Sequence, residues 1–118
     1  MRGNKREIHD RIHKFVLLVL QLVKKIPRTT ENLVLVKQLV RSATSIGANS
    51  LEADGSESKK EFIHRFSIAK REAKETLYWL QLIKETNVQL ADVEVLEDEA
   101  TQLIRIISKI IINTKKGI

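Results

Sequence analysis

Apolar residues recur along the chain at intervals of three and four, in four stretches separated by short polar breaks. The first stretch runs from Ile8 through Phe15 to Leu22. This spacing places the apolar side chains on one face of a helix. Pro27 closes the stretch, because proline cannot donate to the helical hydrogen-bond ladder. The pattern predicts helix one over about 5–26.

Residues that start and stop helices divide the rest of the chain. Thr29 or Thr30 is the expected cap of helix two, and Gly55 is expected to end it in the left-handed conformation. Ser58, with a Glu three residues later, forms the capping box that opens helix three. The remaining predicted helices two, three and four cover about 30–53, 59–86 and 92–113.

Chain length and loop length together predict the architecture. A chain of 118 residues is one domain, here 1–118, and long helices joined by short loops run antiparallel to their neighbours. The sequence therefore predicts an all-α fold, an antiparallel up-down-up-down four-helix bundle. The apolar runs are shorter than the ~20 residues of a membrane span, and we expect a cytoplasmic protein with no membrane partner.

Basic residues concentrate in helices one and three. Residues 1–28 hold eight Lys or Arg against two acids, and residues 59–86 hold seven against four. Such asymmetry is typical of a face that binds RNA or DNA phosphates, and equally of a surface that keeps a protein soluble. The candidate nucleic-acid-binding residues are Arg2, Lys5, Arg6, Arg11, Lys14, Lys70, Arg71 and Lys74.

A line of polar residues follows one face of helix two, again at spacings of three and four. If helices two and three form a hairpin about position 56, the acids of helix three come level with Arg41, and Glu52 faces Lys59 and Lys60. We interpret the line as an inter-helix network that fixes register; the alternative is a recessed pocket for a small ligand. The predicted network comprises Gln38, Arg41, Ser45, Asn49, Glu52, Glu72 and Glu75.

One segment, RSATSIGANSLEADGSESKKEFIHRFSIAKREAKETLYWLQL, closely resembles the signature of the four-helix-bundle proteins encoded in intervening sequences of bacterial 23S ribosomal RNA genes. That signature reads R-S-A-x-S-I-x-A-N-x-x-E, then a short Ser, Gly and Lys loop, then K-E-F or K-D-F, and S-I-A. The resemblance covers about residues 8–112. The positions of this chain that match the characteristic motif residues are Arg41, Ser42, Ser45, Asn49, Glu52 and Glu75.

The resemblance implies a homo-oligomer, a homopentameric ring or barrel of bundles. A protein related in fold, the accessory variability determinant of diversity-generating retroelements, looks like a basic pentamer that binds nucleic acid and a reverse transcriptase. Leu17, Leu18 and Leu20 lie off the main apolar stripe of helix one and agree with an additional buried face.

No arrangement of residues in the sequence indicates an enzyme. His9, Asp10 and His13 approach the spacing of a zinc-binding helix, but a third ligand is missing, and we interpret them as surface residues. Paired acids such as Glu72 and Glu75 are expected to be ion-pair partners. We therefore expect no catalytic residue, no metal and no cofactor.

The predicted function is a non-catalytic oligomeric bundle that binds the backbone of RNA or DNA through helices one and three. The alternative is an oligomeric protein-interaction scaffold with no nucleic-acid role. The expected partners are accordingly further copies of the chain, with RNA, DNA or another protein. Tyr78 and Trp79 on helix three are interpreted as packing residues rather than as a stacking surface for bases.

Overall fold

Four α-helices account for nearly all of the computed structural model, which describes residues 2–117 and the side chains of residues 7–117. Each helix packs against the next, and α1 also packs against α4, so α1 and α3 occupy opposite corners of the bundle. No strand occurs within the described range, and the predicted all-α four-helix architecture is confirmed. The helices are α1 (Arg2–Val23), α2 (Thr30–Asp54), α3 (Lys59–Thr86) and α4 (Asp92–Lys115).

The predicted helix boundaries agree with the structure to within about three residues. Helix α1 ends at Val23, because the next three amides bond to carbonyls three residues back, which tightens the chain into a turn before Pro27. Ser58 Oγ accepts from the amide of Glu61 at 3.0 Å, and Thr29 Oγ1 caps α2 in the same way. These caps satisfy amides that have no partner inside their own helix.

The left-handed cap predicted for Gly55 is wrong. Gly55 has φ −92° and ψ 3°, and its amide bonds back to the Leu51 carbonyl at 3.3 Å. Ser56 then donates from both its amide and its hydroxyl to the Ala53 carbonyl, at 3.1 and 2.7 Å. The last carbonyls of α2 thus find donors in a right-handed turn, so no positive φ is needed.

The core combines large apolar residues from all four helices with several small residues on α2 and α3. Phe15 of α1 and Leu103 of α4 are fully buried, as expected for apolar stripes that face one another. On α2 and α3, Ala43, Ala69 and Ala73 are all 0% exposed. Short side chains bring these two backbones together, which allows polar side chains beside the core to reach across.

Two buried asparagines join the loop end of the bundle. Asn32 and Asn87 exchange amide hydrogen bonds at 2.9 and 3.0 Å, and they are only 3% and 8% exposed. Asn32 Nδ2 also donates to the Pro27 carbonyl, and Asn87 Nδ2 to the Ile83 carbonyl. Because an amide group both donates and accepts, this pair ties the start of α2 and the α1–α2 loop to the end of α3.

Apolar side chains also remain at the surface of α1. Leu17 is 47% exposed and Leu18 is 38% exposed, although both lie on a helix whose inner face is well packed. Leu18 lines an open groove between α1 and α4 with Val95, which is 66% exposed. Among the residues that the structure describes, no helix combines the length and apolar character needed to cross a membrane.

Candidate nucleic-acid interface

The three basic residues predicted on α3 lie in the middle of that helix. Arg71 and Lys74 are exposed, and Lys70 is half-buried on the side that faces α4. No side-chain hydrogen bond or ion pair to another described residue engages any of the three. Their charges are therefore not neutralised by carboxylates of the described part of the chain.

The acids of the same stretch of α3 point the other way, towards Arg41 of α2. Arg41 Nη1 lies 3.3 Å from Glu72 Oε1, and Nη2 bonds to Glu75 Oε2. Arg41 Nε donates to Gln38 Oε1 at 3.2 Å, and Trp79 Nε1 donates to Glu75 Oε2 at 3.0 Å. The carboxylates are thus held on the α2 side, which leaves the outer side of α3 basic.

The rest of the polar line continues this contact towards the α2–α3 loop. Asn49 Nδ2 donates to the Ser45 carbonyl at 2.9 Å, and its Oδ1 accepts from Arg65 Nη1 at 3.4 Å. Glu52 Oε1 lies 3.7 Å from Arg65 Nη2, so its ion-pair partner is Arg65 rather than the lysines expected at the start of α3. The structure brings all seven predicted network residues into contacts along the α2–α3 seam.

Behind this network, α2 and α3 share a buried hydroxyl contact. Thr76 Oγ1 lies 2.7 Å from Ser42 Oγ, and both residues are 0% exposed. Ser42 in turn donates to the Leu39 carbonyl, and Thr76 is within bonding distance of the Glu72 carbonyl. Only side chains of this size fit here, because any longer one would push the two helices apart.

On α1, the two described candidate residues differ in whether a carboxylate pairs with them. Arg11 holds Glu99 of α4 with two bonds, from Nε at 2.7 Å and from Nη2 at 2.8 Å. The hydrogen bond to Glu99 raises the pKa of Arg11, although partial burial opposes the rise. Lys14 is exposed and has no ion-pair partner within residues 7–117. The side chains of Arg2, Lys5 and Arg6 lie outside the described residues.

Among the described side chains, the basic residues predicted on α1 and those predicted on α3 do not form one surface on a single chain. Helices α1 and α3 occupy opposite corners of the bundle, so Lys14 and Arg71 project from different sides. Acidic residues instead occupy the first two turns of α4, where Lys25 pairs with Asp92 at 2.6 Å and Lys84 pairs with Glu97 at 2.8 Å. The hydrogen bond to Glu97 raises the pKa of Lys84.

Sequence reasoning missed a further group of cations at the start of α3. Lys59, Lys60 and Lys115 line a shallow depression around Ile63. Lys115 comes from the last turn of α4, which antiparallel packing brings beside the first turn of α3. Extending the antiparallel register from α3 to the end of α4 would have found this group.

The histidines of α1 lie near the surface, in the region where the sequence suggested them. His9 Nδ1 lies 2.7 Å from Ser50 Oγ, and the His9 and His13 rings are 6.3 Å apart. Across the part of the chain that the structure describes, no three metal-ligating side chains come together. The contact to Ser50 makes His9 part of the α1–α2 packing.

A comparison with family models matches residues 4–109 to one family, described as 23S rRNA-intervening sequence protein. The chain belongs to this family. A crystal structure of an S23 ribosomal protein family member from Bacteroides thetaiotaomicron, a protein with unknown function, is 32% identical to it. The match covers 92% of this chain and 97% of that chain, with a TM-score of 0.82. Comparison with curated proteins finds no significant match.

Membership of the 23S rRNA-intervening sequence protein family confirms the resemblance that the Arg41 motif indicated. It supports the four-helix fold, because the Bacteroides structure superposes over nearly its whole length. It does not supply an activity, since that protein is itself described as having unknown function. Function must therefore be argued from the surface of this chain.

Proposed function

We propose that this protein is a non-catalytic, oligomeric nucleic-acid-binding bundle that contacts the phosphate backbone of RNA or DNA. The proposal rests on Lys70, Arg71 and Lys74, which have no ion-pair partner among the described residues. They lie within five consecutive residues of α3, little more than one turn. Unpaired cations on a rigid helix attract phosphates, because each phosphate bound releases counterions from the nucleic acid.

The chemistry of this surface favours contacts to phosphates over contacts that read bases. Lysine and arginine side chains on an exposed helix bind phosphate oxygens without regard to sequence. Arg41, the arginine of the family motif, is already occupied by Glu72 and Glu75. Arg11 is likewise occupied by Glu99. Among the residues whose side chains the structure describes, we therefore expect Lys14, Lys70, Arg71 and Lys74 to contact nucleic acid. Arg2, Lys5 and Arg6 remain candidates from the sequence.

We further propose that the protein acts as a homopentamer, as its resemblance to this family implies. The exposed leucines of α1, Leu17 and Leu18, support an interface between copies, because exposed apolar side chains are covered when chains assemble. Assembly would repeat the α3 cations around a ring, so that individually weak phosphate contacts add through avidity. Light scattering should then give a mass about five times the 13.6 kDa of the chain.

The test is a titration of a fluorescein-labelled RNA hairpin and of duplex DNA with the purified protein, at low and near-physiological salt. We expect binding that weakens steeply as salt rises. Changing Lys70, Arg71 and Lys74 to Glu should abolish it while the mass of the assembly stays the same.

A matched control keeps the net charge change identical. Lys24, Arg28 and Lys37 are also two lysines and one arginine, and they are exposed and without an ion-pair partner within the described residues. Changing these three to Glu should leave most of the binding. Equal losses in both variants would show that only overall charge matters, and no binding at low salt would contradict the proposal.

The second candidate is a protein-interaction scaffold, which the open groove between α1 and α4 favours. Leu18, Val95 and Leu96 line this groove. Asp98 and the ion pair between Arg11 and Glu99 also line it. A docked apolar segment would respond weakly to salt, in contrast to phosphate binding. Protein that binds no nucleic acid yet captures one partner through a Leu18-dependent contact would establish this alternative.

A further inference from the structure

One face of α3 carries a continuous row of exposed side chains. Its members recur at alternating intervals of four and three residues, which keeps them on one side of the helix. All six are exposed, and none is acidic. At 1.5 Å per residue the row is about 27 Å long. We call this row the α3 stripe, and its members are Lys60, His64, Ser67, Arg71, Lys74 and Tyr78.

The positive charge of the α3 stripe stands at its start and in its second half. Lys60 stands at its start, where Lys59 and Lys115 add two more cations beside it. Arg71 and Lys74 stand in its second half, and no ion pair with a described residue engages either. The nearest acid on the same face, Glu85, comes two turns beyond the end of the stripe. From Lys60 to Tyr78 no member of the stripe carries a carboxylate, and the exposed acids Glu57 and Glu61 lie only beside its start.

The stripe ends at an aromatic side chain that is not packed into the core. Tyr78 is 52% exposed, although the sequence suggested a packing role. Its ring lies 5.1 Å from that of Trp79 at an angle of 57°, and Trp79 is fixed by its bond to Glu75. Trp79 thus supports one side of the tyrosine. The ring of Tyr78 remains available as a platform on the basic side of the helix.

We propose that the α3 stripe is a binding site for single-stranded nucleic acid. Phosphates lie on Lys60, Arg71 and Lys74, and an unpaired base stacks on Tyr78. A duplex can use the cations but not the tyrosine, because its base faces are already stacked on one another. The inference rests on the proposed function and narrows it to one class of ligand.

The experiment compares fluorescein-labelled 12-mers of uridylate and thymidylate with a 12-base-pair duplex at fixed low salt. The variants are Tyr78→Leu, which removes the ring, and Tyr78→Phe, which keeps it. Because stacking on an aromatic ring contributes ~1–3 kcal/mol per base, Tyr78→Leu should weaken single-strand binding about five- to 150-fold. Tyr78→Phe should bind like the wild type, and duplex binding should be the same for all three proteins.

The outcomes separate this inference from the proposed function. Single-strand binding unchanged in Tyr78→Leu would overturn the stripe as a stacking site and leave backbone binding standing. Equal losses for single strand and duplex would also overturn it, since a duplex cannot stack on Tyr78. No binding of any probe would overturn both proposals. Far-ultraviolet circular dichroism checks that each variant is folded.

Discussion

Replacing Arg41 with Ala removes three side-chain contacts at once, two of them between α2 and α3. The guanidinium group bonds to Gln38 and Glu75 and lies 3.3 Å from Glu72. Its side chain is 47% exposed, so each contact is screened by water and contributes about 0.2–1 kcal/mol. Glu72 is only 12% exposed and loses its counter-ion, which adds to the loss. We expect a total loss of about 1–2 kcal/mol of unfolding free energy.

This loss is measurable by thermal melting. With an unfolding entropy of ~2.1 cal/mol/K per residue, 1–2 kcal/mol corresponds to a fall of about 4–8 °C in Tm for a chain of this length. Arg41→Lys keeps the charge but not the fork that reaches two carboxylates, and it should lose about half as much. Melting is followed by circular dichroism at 222 nm and repeated by urea titration, which reports the same free energy through Cm.

Lys37→Ala serves as the control, because Lys37 is exposed on the same helix and has no polar partner among the described side chains. It should change the unfolding free energy by less than ~0.5 kcal/mol. A wild-type Tm in Arg41→Ala, or a loss no larger than that of Lys37→Ala, would refute the idea that the motif arginine stabilises the α2–α3 seam.

Three further predictions address the remaining contacts. Asn32→Ala should cost about 2 kcal/mol, because it leaves the buried Asn87 carbonyl oxygen without a donor; an unchanged urea Cm would contradict this. Ser42→Leu should cost about 2–3 kcal/mol by forcing the helices apart, whereas Ser42→Ala should cost under ~1 kcal/mol, since the Thr76 hydroxyl keeps a carbonyl acceptor; similar losses would argue against tight packing. Because the hydrogen bond to Glu97 raises the pKa of Lys84 from its ordinary 10.5, the stabilisation by this pair should be complete below about pH 10.5 and be lost as the pH rises through the raised pKa. A Cm difference between wild type and Lys84→Gln that stays constant from about pH 9 to 11.5 would contradict this.

The sequence predicted the helices well because their signals are local. The Ser58 cap and the three-and-four apolar spacing act within a few residues, and both are seen in the structure. The reach of Arg41 to the acids of α3 followed from hairpin register alone. The prediction of a left-handed cap at Gly55 was wrong because a helix can also end in a right-handed turn. Only the conformation of the loop that follows decides which of these two endings forms.

Contacts between residues far apart in sequence were not predictable in the same way. The bond between Arg11 and Glu99 spans 88 residues, and the amide pair of Asn32 and Asn87 spans 55. Each depends on the rotation and register of helices that pack only in the folded bundle. The exposure of Tyr78 likewise depends on which side of α3 the neighbouring helices cover. The candidate interface was therefore predictable as a set of basic residues, but not as a surface.

The proposal of nucleic-acid binding rests on two features of the middle of α3: the acidic side chains there are neutralised by Arg41, and the lysine and arginine side chains there have no carboxylate partner among the described residues. Arg41 holds Glu72 and Glu75 on one side of the helix, and Arg71 and Lys74 project from the other. A helix with this division presents a positive face even where its sequence alternates acids and bases. The family motif thus acts on the proposed interface indirectly, by keeping carboxylates away from it.

The salt dependence of RNA binding tests this account most directly. The affinity for a labelled RNA hairpin is measured from about 50 to 200 mM salt for the wild type and for the variant in which Lys70, Arg71 and Lys74 are changed to Gln. Each lost phosphate contact lowers the slope of log K against log salt by ~0.7–0.9, so the triple variant should lose about two to three units. The matched variant, in which Lys24, Arg28 and Lys37 are changed to Gln, should keep the wild-type slope. An identical slope in the α3 variant and the wild type would contradict the central claim that these cations bind the phosphate backbone.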